Sequence, residues 1–409
     1  VDRKTDMKVL MLGWELPPYN SGGLGVACFY MCKALAEKGA DISFIVPYTA
    51  DHSHIDFMSV TPAIPVEAEE VIKAGIAYDS FKFVDSSGNE EWVSLFDYHK
   101  MYEKAIDGIV KSKEFDVIHA HDWLTIRAGI RAKQLSGKPL IVHIHATEFD
   151  RAGAKSGNTQ VADIEYLGMM MADKIIAVSQ LTKDVIVQQY NIPPEKIDVV
   201  HNSFDVDLYD GIQGANSYTY LEEMRHHGYK VVMNFGRITV QKGLYNLMHA
   251  FRKVVDHRSK TILLFVGSGE QELELLELAS DLGLCGNVIF AGFQRGKKWR
   301  DMFGVSDIFV MPSVSEPFGL TALEAGAFGV PTLVSRQSGV AEVMSSALRV
   351  DYWDVDEMAH QITTVLNNQA LQDQLATDAT NEVSEMSWGH TAHKLLNVYE
   401  LHRNARMLA

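Results

Sequence analysis

The chain alternates short apolar runs with longer segments whose apolar residues recur every three to four positions. That alternation is the grammar of parallel sheets covered by helices. In the first half, Lys8–Leu12 reads as a strand, followed by Gly13 and a polar loop that ends in Gly22-Gly23. Helical spacing then gathers Leu24, Ala27, Cys28, Met31 and Leu35 on one face, with Gly39 as the stop. Further strands are predicted at 42–47, 117–120, 140–145, 174–178 and 197–201. The second half restarts the pattern, with strands at 231–235, 262–266, 288–292, 307–311 and 332–335. A helix runs from Leu244 towards Val255, and a Glu- and Leu-rich helix follows Gly267-Ser268-Gly269. Between the halves, 205–229 is polar and poor in pattern, and it is predicted to be a hinge. In the last segment Trp388, Ala392, Leu395, Leu396 and Tyr399 share one helical face. The expectation is an α/β protein of two doubly wound domains, 1–205 and 206–387, closed by a helix at 388–409. In such sheets ligands bind at the carboxyl ends of the strands.

A length of 409 residues fits two or three domains, and 47% hydrophobic with 22% charged residues is the balance of a soluble globular protein. The formal net charge of −16, without a long basic run, argues against a general nucleic-acid binder. Lys297, Lys298 and Arg300 form the densest short basic cluster and read as a solvated helix start. Cys28, Cys32 and Cys285 make no disulfide framework, which fits a reducing compartment. Cys28 and Cys32 lie one helical turn apart in the apolar stripe and are predicted core residues. No run approaches the roughly 20 apolar residues that span a bilayer. Residues 1–6 are polar and lack the apolar core of a signal peptide, Met7 is a natural start, and a cytoplasmic protein is expected.

Candidate chemistry concentrates in Ser315-Glu316-Pro317-Phe318-Gly319-Leu320-Thr321-Ala322-Leu323-Glu324. An apolar strand precedes it, and Pro317 and Gly319 delay helix until Leu320. The amides of Phe318, Gly319 and Leu320 therefore start a helix, where unpaired N–H groups and the helix dipole attract anions. Glu316 and Glu324 flank that seat. Donors for a diphosphate beside acceptors for hydroxyls suit a sugar nucleotide. Upstream, Phe235-Gly236-Arg237-Ile238-Thr239-Val240-Gln241-Lys242-Gly243 places two cations at a strand end and helix start. In a dry site fixed cations can stabilise a departing diphosphate. The pairs His119/His121 and His143/His145 occupy alternate positions, which share a face on a strand, so a metal site has to be weighed. With Arg237 and Lys242 available the chemistry needs no metal, and none is expected; His119 and His143 read as satisfied core histidines.

The Glu316/Glu324 pair around Pro-Phe-Gly-Leu resembles the E-x7-E motif of retaining glycosyltransferases of GT-B architecture. That group includes the glycogen, starch and sucrose-phosphate synthases. Arg237 and Lys242 match its G-R-x4-K-G pattern, and Gly22-Gly23, His121-Asp122-Trp123, His145-Ala146-Thr147-Glu148-Phe149 and Asn202-Ser203-Phe204-Asp205 follow in family order. The resemblance spans nearly the whole chain. It implies two Rossmann-like domains facing across a cleft, with the last helix crossing back to the first domain. It assigns the diphosphate to Arg237, Lys242 and the amides of Phe318, Gly319 and Leu320, faced by Gly22 and Gly23. Glu316 would hold donor-sugar hydroxyls, Glu324 the ribose, and His145 the donor sugar, while Asp122 would be an acceptor-side or structural carboxylate. Two positions depart from the pattern: Asn20 stands where glycogen and starch synthases carry Lys, and Ser203 where Gly is usual.

The activity implied is metal-independent, cofactor-free transfer of a hexose, foremost glucose from ADP-glucose or UDP-glucose, to a saccharide hydroxyl. Trp14-Glu15-Leu16-Pro17-Pro18 and the segment at 145–151 lean towards α-glucan extension. A sugar phosphate or a lipid-linked saccharide is the alternative acceptor. A non-catalytic two-domain sugar-binding protein is the rival from another class, separated by its lack of donor hydrolysis.

Overall fold

The computed structural model describes residues 5–19, 22–65, 81–84, 90–153, 157–205 and 215–407. The chain divides into two compact units. One comprises Val1–Glu148, Asn158–Asn202 and Trp388–Ala409; the other comprises Ser203–Ser387 together with Phe149–Gly157, a piece embedded in the first half of the chain.

In chain order the strands of the first unit are β1 (Lys8–Leu12), β2 (Asp41–Val46), β3 (Ser59–Pro62), β4 (Phe81–Val84), β5 (Glu90–Val93), β6 (Val117–His121), β7 (Leu140–Ile144), β8 (Lys174–Ala177) and β9 (Ile197–Val199). Among the described residues seven of them form a parallel sheet in the order β3-β2-β1-β6-β7-β8-β9, and β4 and β5 pair as an antiparallel ribbon. β6 and β7 are buried throughout, as strands covered on both faces must be, which is why they read as unbroken apolar runs flanking their histidines. The order in which strands are added reverses between β1 and β6, the switch point of the sheet. Helix Gly23–Glu37 buries Ala27, Cys28, Met31, Cys32 and Leu35. It packs against the final helix, Trp388–Met407, which also touches β6. Trp388 and Tyr399 of that helix are fully buried, each burial contributing on the order of 2–3 kcal/mol. The terminal helix thus belongs to the first unit, as the resemblance implied.

The second unit carries β10 (Lys230–Phe235), β11 (Thr261–Val266), β12 (Val288–Phe290), β13 (Ile308–Met311), β14 (Thr332–Ser335) and β15 (Leu348–Val350). All six are parallel, in the order β12-β11-β10-β13-β14-β15, and the switch point lies between β10 and β13. Helix Leu244–His257 lays Leu247, Met248, Phe251, Val254 and Val255 into the core shared with helix Val355–Asn367. At the amino edge of the sheet, buried Asp307 accepts from the Val231 amide (2.8 Å), Lys230 (3.0 Å) and Gln372 (3.2 Å). A carboxylate so fully partnered is a staple for the fold.

Strand and helix ends fall within a residue or two of the sequence expectation. Beyond the strands β3, β4, β5 and β15, which the sequence expectation leaves out, a clear difference is in 205–229, expected to be without pattern, where Thr219–His226 is helical. It buries Leu221, and polar bonds hold the rest: Asn216 Nδ2 donates to Asp301 O at 2.8 Å, and Arg225 meets Asp307 at 3.3 Å. A helix anchored by polar contacts leaves little apolar periodicity to read.

Candidate active site

In the second unit the site grows from the loops that leave β10 and β13 on either side of the switch point. After β10 a single 3-10 turn, Val240–Lys242, leads through Gly243 into helix Leu244–His257. After β13 the chain runs to Gly319 and opens helix Leu320–Ala327. The loops are laced together: Val314 N donates to Gln241 O (2.8 Å), and Gln241 Nε2 to Ser315 O (2.9 Å). That lacing sets Lys242 Nζ 2.5 Å from Glu316 Oε2, which also accepts from Ser313 Oγ at 3.0 Å. Glu316 is 9% exposed, and its Oε1 takes no protein hydrogen bond among the described residues. One oxygen is committed to the protein and the other is open.

Around this pair lie groups with capacity to spare. Arg237 is exposed and makes no hydrogen bond or ion pair among the described residues. Thr239 Oγ1 and Glu324 Oε2 are buried without partners. Burial pushes the Glu324 carboxyl up to about 8, so near neutrality it holds a proton and can both donate and accept. The Leu320 amide, first in its helix, has no partner within it. Of the three amide residues singled out from the sequence, Phe318 is further anchored, its carbonyl accepting from Val340 N at 2.7 Å. Cations, open amides and an open carboxylate oxygen converge on the carboxyl edge of β10 and β13, where open α/β sheets bind ligands.

Two glycines make that geometry possible. Gly319 has φ 108°, and a Cβ there would lie 2.6 Å from Met311 Cε. Gly243 has φ 65°, and a Cβ would meet Pro312 O at 2.1 Å. Gly243→Ala should therefore cost on the order of 1–3 kcal/mol for the backbone alone, plus the displacement of the Pro312 loop that carries Glu316. Urea unfolding monitored with the wild type alongside checks it, and an unchanged midpoint would show that the two loops are not locked together.

In the first unit the corresponding strand ends are those of β1, β6 and β7. Gly22 and Gly23 start helix Gly23–Glu37, but the carboxylate of Glu15 already sits there: Oε2 accepts from Gly22 N at 2.9 Å and Gly25 N at 3.2 Å. An internal anion thus occupies the Gly22 amide, one of the two residues that the resemblance sets facing the diphosphate. Gly23 has open space where a Cβ would lie. Asn20, the departure from the family pattern, lies outside the described residues.

Asp122 adopts φ 54°, unusual for a residue other than glycine, between β6 and helix Asp122–Ser136. Its Oδ1 accepts from the amides of His145 (2.6 Å) and Ala146 (3.3 Å), tying the loop after β7 to the end of β6. Such strain at a strand end is the sort found at functional sites. Parallel register pairs His121 with His143, which puts both histidine pairs on one face as a four-ring ladder. Tyr399 of the terminal helix bonds His119 Nδ1, His119 Nε2 meets His143 Nδ1 at 3.2 Å, and His121 Nδ1 meets His145 Nε2 at 3.0 Å. Desolvation holds all four neutral, His119 and His145 down to about 3 and His121 and His143 well below their usual value. His119 is satisfied as expected. His143 is not: its Nε2 is buried without a partner. The expectation of no metal also meets a fact to be reckoned with, since two sets of ligand atoms, Cys28/His121/His145 and His119/His121/His143, each lie within 4.8 Å of one another.

Several participants escaped the sequence reading. Ser313 carries no local motif, Glu15 is noted only within the segment 14–18, and Tyr399 only as part of the apolar face of the last helix. Asp150, inside a segment noted only for its resemblance, is buried and accepts from Ser315 Oγ at 2.6 Å, next to Glu316.

Comparison with known proteins agrees with this architecture. Residues 222–382 match the model for glycosyl transferases group 1, and 21–208 the model for glycosyltransferase family 4. The chain is similar to an uncharacterized glycosyltransferase of Methanocaldococcus jannaschii, 29% identical over 97% of this chain and 98% of that protein. It is similar also to a glycogen synthase of Mycobacterium tuberculosis, 28% identical over 96% of this chain and 94% of that protein. Among solved structures, Anabaena HepE in complex with UDP-glucose superposes with a TM-score of 0.70 at 19% identity, over 96% of this chain and 99% of that one.

Proposed function

Because the chain belongs to the family 4-type glycosyltransferases of GT-B fold, we propose that it transfers glucose from a nucleoside diphosphate to a saccharide hydroxyl with retention of configuration, extending an α-glucan. The observation that carries this reading is the Lys242–Glu316 pair at the β10/β13 switch point, with Glu316 Oε1 open beside it. Lys242 and exposed Arg237 supply positive charge for the departing diphosphate, Arg237 as a planar fork and Lys242 as a point charge. The helix-start amides at Gly319 and Leu320 add fixed dipoles. Glu316 Oε1 accepts from hydroxyls of the donor sugar, and Glu324 exchanges hydrogen bonds with the ribose. A phosphate oxygen of the leaving group takes the acceptor's proton, so no enzyme carboxylate need attack the anomeric carbon.

The similarity to a glycogen synthase supports a glucan acceptor, and the UDP-glucose complex of the Anabaena protein supports a nucleoside-diphosphate donor. No helix among the described residues is long and apolar enough to cross a membrane. The test is release of nucleoside diphosphate from UDP-glucose and from ADP-glucose, with glycogen or maltooligosaccharides as acceptor and the product's anomeric form read by NMR. Activity should be undiminished by EDTA, since fixed cations take the role a metal plays in other transferases. Transfer to sugar phosphates alone would redirect the acceptor. Failure with both donors, or a collapse on chelation reversed by manganese, would overturn the reading.

A further inference from the structure

We propose that Cys28, His121 and His145 form a binding site for a thiophilic divalent cation, Zn2+ in the first instance, and that its occupancy switches transfer off. Cys28 comes from helix Gly23–Glu37, His121 from the end of β6 and His145 from the residue after β7, so three elements of the first unit meet at one point. Their ligand atoms lie within 4.8 Å of one another. A tetrahedral zinc centre with bonds of about 2.0–2.3 Å separates its ligands by about 3.3–3.7 Å. The 3.0 Å contact between His121 Nδ1 and His145 Nε2 would open by a few tenths of an ångström to admit the ion.

The donor set selects the metal. One thiol and two imidazoles favour zinc or another soft ion over magnesium or manganese, which prefer oxygen. The Met11 thioether contacts the far nitrogen of the His121 ring, Nε2, at 3.0 Å, and can hold a proton there when Nδ1 binds the ion. Both imidazoles are neutral, but one of the two facing nitrogens carries the proton of their hydrogen bond, and that proton must move to the far nitrogen of its own ring. Burial pushes the Cys28 thiol up, so its proton leaves to solvent only as the S–metal bond forms. The alternative is an inert core in which a cysteine merely fills space beside stacked rings. A finished core satisfies its polar atoms. Here Cys28 is buried and makes no hydrogen bond among the described residues, and His143 Nε2 in the same ladder has no partner. Of the two triads the one with Cys28 is favoured because it holds the thiol and because His145 stands just past the end of its strand, where the backbone can adjust to the ion. The two triads share His121.

Inhibition follows from the same geometry, and this part rests on the reading of His145 as a donor-site residue. A metal on its ring fixes the end of β7 and places positive charge beside the backbone that Asp122 holds. The uses of metal are thus opposite in sign: chelation leaves transfer intact and zinc abolishes it.

The test uses the full chain, reduced and stripped of metal, in a Cys285→Ser background that removes the exposed thiol. Titration with Co2+ should give one tetrahedral site per chain, with a sulfur-to-cobalt charge-transfer band that Zn2+ displaces. Cys28→Ser should abolish that band and weaken zinc binding by more than the about 10–100-fold that losing even an outer partner of a ligand costs, while retaining transfer activity in the presence of zinc. Cys32→Ser should do neither. If Cys28→Ser fails to fold, X-ray absorption on the zinc-loaded parent decides: one sulfur at about 2.3 Å supports the site, and a shell of oxygen and nitrogen alone defeats it. Absence of a stoichiometric band, or a band that survives Cys28→Ser, also overturns the proposal. Stoichiometric binding through Cys28 with transfer unaffected would keep the metal site and instead remove His145 from the transfer machinery.

Discussion

Glu316→Gln will lower glycosyl transfer by about 100- to 1000-fold while leaving the protein folded. The structure says why the two effects separate. Glu316 Oε2 is held by Lys242 Nζ at 2.5 Å and Ser313 Oγ at 3.0 Å, so glutamine will turn its carbonyl towards those donors and satisfy both. Its NH2 then takes the place of Oε1, and an acceptor facing the sugar hydroxyls becomes a donor. The loop itself is anchored by backbone bonds, Glu316 N to Gln337 O (2.9 Å) and Gly339 N to Glu316 O (2.9 Å), which the substitution leaves alone. In the proposed role the lost interaction is one made to the reacting sugar, so turnover falls along with donor affinity. Lys242→Met is the instructive contrast. It strips the leaving group of its cation and also leaves the Glu316 carboxylate, 12% exposed, without its counter-charge. That variant should lose stability as well as activity, and the double variant should recover part of the stability but none of the rate, the non-additivity expected of groups in contact. Steady-state kinetics and urea unfolding of the three variants check the set. Near-wild-type turnover in Glu316→Gln would remove Glu316 from the donor site.

Much of this was legible before any coordinates. The central strands of both sheets are buried on two faces and so announce themselves as apolar runs; Lys8–Leu12 and Thr332–Ser335 match to the residue. The edge strands β3 and β15 do not, because half-exposed residues such as Val60, Thr61 and Leu348 give neither a run nor a clean alternation. Arg237, Lys242, Glu316 and Glu324 stood out as charged residues at strand ends beside glycines. Their mutual bonding did not, because it depends on β10 lying next to β13, a neighbour more than seventy residues away in sequence. The histidine pairs were visible as alternations within single strands. Their fusion into one ladder needed the register of β6 on β7, and its anchor, Tyr399, arrives 280 residues after His119. Glu15 on the Gly22 and Gly25 amides was hidden for a different reason: a helix N-terminus is satisfied by any nearby carboxylate, and sequence spacing does not say which.

The first unit will unfold near pH 5, at the upper edge of the range in which carboxylates alone begin to drive unfolding. His99, His119, His121, His143 and His145 are all held below the ordinary value of 6.5 by desolvation, His99, His119 and His145 down to about 3 and the other two well below 6.5. A depressed folded value means that the unfolded chain binds more protons between the two values. The stability these groups allow is therefore complete above about 6.5 and falls as the pH drops towards the folded values. Each contributes about 1.4 kcal/mol per pH unit once its unfolded form is protonated, so together they reach about 7 kcal/mol per unit. Glu324, raised to about 8, has the opposite sign and regains stability as the pH falls, but it belongs to the second unit. Against a total of about 5–15 kcal/mol for a domain, the histidine loss becomes decisive one to two pH units below 6.5. Trp14 and Trp123 report the event directly, their rings lying 5.1 and 4.7 Å from the His99 ring. Fluorescence-monitored equilibrium unfolding between pH 8 and 4 should show a transition that takes up about five protons. Survival of native fluorescence to pH 4, or histidine NMR signals that titrate near 6.5 in the folded protein, would show that the ladder is hydrated and its burial penalty absent.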